Sequence, residues 1–562
     1  MYDNNQPIGY VVSGSLKNNL LVRLTVPPQQ VQEGSFVVVE AGDWQFYGLV
    51  TDLQLGATDP RFADEQSEAR MPGRLASLLH GQTLYTNLVV LPALMLERGP
   101  DPASAEYPAW RESHPQDPRP VPVKTVPSHH APVRLASAGD VAEIFGSPNE
   151  EGMFEVGRTR EQNHPLCINL DRLVQRSSGI FGATGTGKSF LTRILLAGLI
   201  KHNRTSVLVF DMHNEYAYDD IASDTRKRVF GLKSLFGAQV QVAALGRGGT
   251  VRGQAPDFHL EIAESDITPA DIELLTRELN LKETTPATLE ALVTTFDRNW
   301  FHEFKHMRSG AMIETEDGKK VPAPDSVAAW ANHAGVNVMA AEGLHSKLGR
   351  LFNKPYIVEK PAADTVSEIV RALAGRKHVV LSFADYESDL DYLFVTNLLT
   401  RRIRAAWEEM TNQHRSHPEQ NPEPRPLVIA VEEAHKLLNR EMAAQTTFST
   451  IAREMRKYFV TLLIIDQRPS QIYDEVMSQL GTRISGWLGD DADIAAVLSG
   501  LAGRDELRGM LARLQPKEEV LILGQAVPMP IMVRSRRYDE RFRQEISGRQ
   551  FSADELIRQL GF

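Results

Sequence analysis

Cysteine is almost absent: Cys167 stands alone in 562 residues. An internal disulfide and a cysteine-built zinc cluster are therefore excluded. No apolar run approaches the roughly 20 residues that span a bilayer as a helix. The opening MYDNNQPIGY shows no basic-then-apolar signal pattern. The expected setting is the cytoplasm, with no membrane partner. A surplus of cations is missing too. The formal net charge is −11, so the whole surface is no general attractor for nucleic acid, and any such site must be a local basic concentration such as a pore. Hydrophobic content of 42% and charged content of 24% are ordinary for a globular protein. The length predicts roughly two to four domains.

What is present centres on Gly179 to Ile200, GIFGATGTGKSFLTRILLAGLI. Within it, Gly182, Ala183, Thr184, Gly185, Thr186, Gly187, Lys188 and Ser189 satisfy G-x-x-x-x-G-K-[ST]. An apolar segment leads in and an amphipathic helix leads out, the order a phosphate-binding loop requires. Glycines let the backbone wrap anionic oxygens at a helix N-terminus. Lys188 would reach the β- and γ-phosphates of ATP, and the Ser189 hydroxyl would ligate Mg²⁺.

Residues 1–150 read as β. GYVVSG, NNLLVRLTVP, GSFVVVEA, WQFYGLVTDL and TLYTNLVVLPALML are short apolar or alternating runs separated by turn residues. They predict a small barrel or sandwich. Asp101 to Val123 holds six prolines and predicts an extended loop. HAPVRLASAGDVAEIFG adds one strand and a short helix. From 151 to 264 the pattern turns α/β, with TSVLVFDMHNEY a strand buried on both faces. Residues 265–355 read as an inserted helical subdomain, opened by Thr268 as N-cap and Pro269 at the first helical position. The α/β core resumes over 356–537, through KHVVLSFADY, a helix bearing Arg401, Arg402 and Arg404, PLVIAVEEAH and VTLLIIDQRPSQI. A tail, 538–562, ends in a capping box at Ser552 and Glu555.

Ligands of parallel sheets sit beyond the carboxyl ends of the strands. Glu432 and Glu433 end one strand here. One acid would hold the Mg²⁺ hydration shell and its neighbour would polarise the attacking water; a solvated acidic turn is the alternative. Gln467, after another strand, would sense the γ-phosphate or orient water. Asp211, His213 and Glu215 end a third strand and face either nucleotide or DNA, or serve as hydrogen-bonded structure. Arg453, Arg456 and Arg176 flank these elements. By themselves they read as surface or salt-bridge arginines. Arg247 and Arg252 read as DNA contacts or as a solvated loop.

The ordered motifs resemble the HerA family, hexameric DNA-pumping ATPases of the HerA/FtsK superfamily. RLVQRSSGIFGATGTGKS is similar to its phosphate loop with a preceding arginine, DMHNEY to its D-P-H-G-E-Y strand end, and VIAVEEAH to its acidic motif. IAREMRKYFVTLLIIDQRP is similar to its I-A-R-E-G-R-K stretch followed by S-Q-R-P. The resemblance implies an α/β RecA-like P-loop NTPase core with an N-terminal small β-barrel and an inserted helical subdomain. It implies Glu433 as catalytic glutamate, Glu432 as its metal-side partner, Gln467 as sensor, Arg456 as a finger acting across a subunit boundary, and Arg176 as a second interface arginine. It further implies a homohexamer around double-stranded DNA, working with a NurA-like nuclease in DNA repair. The alternative is a ring that gates a nuclease or sirtuin-like effector in antiphage defence. Met212, Asn214, Met455 and Asp466 depart from the family pattern, each beside a functional position.

Overall fold

The computed structural model describes residues 6–16, 19–58, 84–100, 103–115, 118–160, 163–222, 226–442, 447–501 and 503–548. The capping box at Ser552 and Glu555 lies outside them. Two compact units are present. One holds residues 1–195, 467–470 and 480–537; the other holds 196–466, 471–479 and 538–562.

In the first unit the five alternating runs are strands, and they close. Leu20–Leu24, Gly9–Ser13, Pro132–Leu135, Phe36–Ala41, Trp44–Ala57 and Leu84–Glu97 pair antiparallel in that order. Leu20 opposite Val90 returns the last strand to the first. Closure leaves no unpaired edge, and Val22, Val37, Val50, Leu88, Val90 and Val133 fill the inside. The barrel is thus the form adopted, not the sandwich. The proline-rich stretch departs from expectation, because Tyr107–Ser113 is a helix. Pro108 sits in its first turn, where the missing N–H costs nothing. Trp110 stacks on His114 one turn later, with ring centroids 4.8 Å apart.

The same unit carries a six-strand run. Ser178–Phe181 lies parallel to Thr482–Ser485. Glu519–Gly524, Ile531–Ser535, Met153–Arg158 and Pro165–Asn169 then continue antiparallel.

In the second unit six strands lie parallel, in the order Phe258–Leu260, Val240–Leu245, His378–Ser382, Ser206–Asp211, Leu427–Glu432 and Val460–Asp466. Every residue of the last three is buried, as their unbroken apolar character requires. Register brings their ends level: Phe210 faces Val431 and Glu432 faces Ile465.

Residues 265–355 hold the helices Pro269–Glu273, Thr285–Phe296, Trp300–His306, Val327–Ala334 and Val338–Phe352, with one hairpin, Met312–Glu314 and Lys320–Pro322. Trp300, Phe301, Phe304, Leu289, Leu348 and Leu351 form their buried centre. At the base of this stretch, Ile262–Ala263 pairs in parallel with Ile357–Val358. No helix among the described residues is long and apolar enough to cross a membrane.

Asp271 ties the first of these helices to the long helix Asp389–Ser416. Its carboxylate is fully buried. It accepts from Arg401 Nη2 at 2.7 Å and from Arg401 Nε at 3.2 Å. It also accepts from the Thr268 N–H at 2.9 Å. Arg401 is thereby explained as structure. Asp271→Ala strands part of that cation, and the expected loss is about 3–5 kcal/mol of local stability. Amide hydrogen exchange across residues 269–304 reads it; unchanged protection would contradict the assignment.

Candidate active site

In the first unit, the buried strand Ser178–Phe181 delivers the chain into the glycine-rich loop. Gly185 holds φ +77° and Gly187 φ +89°, the left-handed region that favours glycine. The loop is braced from within: the Thr186 hydroxyl donates to the Ala183 carbonyl at 2.7 Å. It is braced from outside by the Ala183 N–H donating to the Trp487 carbonyl at 3.0 Å. Lys188 opens the helix Lys188–His202, with Ser189 beside it. Backbone amides, a helix N-terminus and a lysine therefore converge on one cradle suited to phosphate.

Gln467 joins this cradle directly. Its Oε1 accepts the Thr184 hydroxyl proton. The segment behind it is fixed by the Ser470 hydroxyl, which donates to Asp493 at 2.6 Å. Arg176 is exposed, with its stem packed against Gly481, where an added Cβ would come within 2.7 Å. Among the described residues no carboxylate forms an ion pair with its guanidinium.

In the second unit three carboxylates cluster at the strand ends. Asp211, fully buried, accepts the N–H groups of Glu215 at 2.7 Å and Tyr216 at 2.9 Å. It builds the turn, the hydrogen-bonded structural role. Glu432 is 6% exposed. Its Oε1 accepts the Tyr216 hydroxyl at 2.7 Å, and its carbonyl accepts the Tyr392 hydroxyl at 2.7 Å. Burial beside these acids pushes the Tyr392 hydroxyl well above its ordinary pKa, so it stays a donor. Glu433 follows with φ +46°, a strained conformation for a residue with a Cβ. The strain turns the chain out of the sheet one residue after Glu432.

Asp466, where the family pattern has serine, is fully buried. It accepts the His435 N–H at 2.7 Å and lies 3.0 Å from His435 Nδ1. The same ring nitrogen is 3.6 Å from Glu433 Oε2. His435 is therefore held between two acids, and its pKa is raised, chiefly by the Asp466 hydrogen bond. Asn214 takes φ +56°, which explains why the family's glycine is replaceable there by asparagine. Met455 and Met212 are buried apolar fillers.

Arg456 lies in the short 3₁₀ turn Met455–Tyr458 and is exposed. Its neighbours Arg453 and Lys457 are near Glu475 and Glu454, at 3.3 and 3.9 Å. No ion pair involves Arg456 among the described residues. Arg247 and Arg252 are engaged with Glu261 and Asp220. Three residues escaped the sequence reading: Tyr216, Tyr392 and His435. Tyr216 closes the DMHNEY motif and was within reach; the others depend on contacts across the fold.

Residues 154–403 match the family model described as Helicase HerA, central domain. The chain thus carries a central region similar to that of HerA helicases. Its fold is accordingly the α/β RecA-like P-loop NTPase core with an N-terminal β-barrel and a helical insertion, and its enzymatic class is ATPase. Similar proteins include the DNA double-strand break repair helicase HerA of Sulfurisphaera tokodaii, 23% identical over 546 residues, with 95% of this chain and 93% of that one covered. The protein of the same description from Sulfolobus acidocaldarius is 23% identical over 538 residues, with 95% and 93% covered. Among solved structures, the bacterial conjugative coupling protein TrwBΔN70 aligns with a TM-score of 0.44 at 13% identity, covering 72% of this chain and 92% of that one.

The His435 environment predicts a pH dependence. Protonated His435 is favoured by folding, so its stabilisation is complete below the ordinary imidazole pKa of about 6.5. It is lost as pH rises through the higher folded value. His435→Asn should remove this component. Thermal midpoints of the two proteins, followed from about pH 5.5 to about pH 9, should converge toward alkaline pH; a constant gap would refute the pairing.

Proposed function

We propose that this chain is an ATP-driven double-stranded DNA translocase, working in the cytoplasm as a homohexamer with a NurA-like nuclease in DNA-end processing. The observation that carries the reading is the phosphate cradle: Gly185 and Gly187 in left-handed conformations leading to Lys188 at a helix start, in a chain whose central region is similar to that of HerA helicases. Relatives named as DNA double-strand break repair helicases support the DNA substrate.

The residues fit a Mg²⁺–ATP pair. The loop amides of Gly182 to Gly187 and the Lys188 ammonium match the charge and shape of a triphosphate. Ser189 in the first unit and, separately, the buried carboxylate of Glu432 in the second each offer a hard oxygen donor of the kind that Mg²⁺ takes. When bound, the ion neutralises phosphate charge. Glu432 is oriented for that task by Tyr216 and Tyr392. Glu433, turned out of the sheet, accepts a proton from water as general base. Gln467, held in the cradle by Thr184, orients water or senses the terminal phosphate. Arg456 acts on a neighbouring subunit's nucleotide, with Arg176 a second interface arginine; the exposure of Arg456 and its lack of an ion-pair partner among the described residues support this reading. A net charge of −11 confines DNA contacts to a local surface of the ring.

Lys188→Ala should abolish nucleotide binding, measured by titration with a fluorescent ATP analogue. Glu433→Ala should bind ATP yet turn it over about 10²–10⁴-fold more slowly; full duplex-stimulated activity would reject its role as base. Arg456→Ala should lose about 10³-fold or more in turnover while assembling normally. Mixing it with Lys188→Ala subunits should restore part of that activity if the arginine acts in trans. An Arg456→Ala ring with wild-type turnover would sink the assignment.

A further inference from the structure

The phosphate loop leans on a turn that no motif marks. Lys517 donates its backbone N–H to the Thr186 carbonyl at 3.1 Å. Its Cα lies 3.3 Å from where a Cβ on Gly187 would sit. Lys517 also holds φ +68°, a left-handed conformation that persists only when the surroundings impose it.

Those surroundings can be traced. The Gln515 N–H donates to Glu519 Oε2 at 2.9 Å. The N–H groups of Glu518 and Glu519 donate back to the Gln515 carbonyl at 3.2 and 3.0 Å. The Glu519 side chain is 1% exposed, and its Oε1 lies 2.9 Å from Arg160 Nε. Arg160 Nη1 in turn donates to the Glu33 carbonyl at 3.2 Å, in the loop that enters the barrel strand Phe36–Ala41. Arg513, which precedes the turn, pairs with the Glu33 carboxylate. Two arginines thus tie the turn to one barrel residue, all inside the first unit.

We propose that Arg160 is a positioning residue for nucleotide binding: through Glu519 it fixes the Lys517 turn against Gly187 and so holds the phosphate loop in its binding shape. Removing Arg160 leaves the Glu519 carboxylate buried without its cation. Such a group takes up a proton or draws its segment toward water. Either response loosens Gln515 and then Lys517, and Gly187 loses the wall that orders it. A cradle that must be ordered by its ligand binds more weakly. The chemistry at Glu433 is unaffected, so the change falls on affinity and not on turnover at saturation.

The proposal rests on the ATP reading of the phosphate loop, and the experiment separates the two. Wild type, Lys188→Ala, Arg160→Ala, Arg160→Lys and Glu519→Gln are titrated with a fluorescent ADP analogue and assayed for ATP turnover as full chains. Arg160→Ala should raise both Kd for ADP and KM for ATP about tenfold, with kcat within roughly twofold. Arg160→Lys, which keeps the charge, should recover most of the loss. Glu519→Gln should shift KM in the same direction, and it stands in if Arg160→Ala fails to fold. A variant carrying both Arg160→Ala and Glu519→Gln should be no weaker than Arg160→Ala, because both changes cut one link. Wild-type KM in Arg160→Ala and Glu519→Gln, or a fall in kcat at constant KM, overturns the positioning role. Failure of wild type to bind more tightly than Lys188→Ala overturns the ATP reading instead and takes this proposal with it.

Discussion

Three carboxylates, Asp211, Glu432 and Asp466, end buried strands of one parallel sheet, and much of the second unit exists to supply them with donors. Each is at most 6% exposed. An unsatisfied acid at such depth costs several kcal/mol. The protein answers with backbone amides for Asp211, the Tyr216 hydroxyl for Glu432, and His435 for Asp466. Glu433, the residue after Glu432, lies beside this set, with its Oε2 3.6 Å from His435 Nδ1. Its strained backbone aims it away from the sheet.

The phosphate loop obeys a different constraint. Its glycines accept conformations that presort the chain for anions, but the same freedom would let an isolated loop collapse. Trp487 and Lys517 therefore hold it through its carbonyl and amide groups, from elements more than 300 residues downstream. Specific ordering is added from outside, while the loop itself stays compact enough to admit phosphate.

Much of the fold was legible because it is local. Alternation marked the barrel strands, unbroken apolar runs marked the parallel strands, and G-x-x-x-x-G-K-S marked the cradle. Reading the prolines of 101–123 as a bar to helix failed because Pro108 occupies the one turn of a helix where proline is harmless. Arg247 read as a DNA contact or as part of a solvated loop; an ion pair with Glu261 shows it engaged. The departure at Asp466 had no rationale until its histidine partner was placed.

The residue order alone determined the strand–loop–helix cradle and the acid-tipped strands, since periodicity and turn chemistry act over a few residues. Only the tertiary structure decided which partners each of these acids holds. The donors that settle the question come from far along the chain, 216 residues separating Tyr216 from Glu432 and 31 separating His435 from Asp466. No local pattern encodes a hydrogen bond between elements that meet only when the sheet assembles.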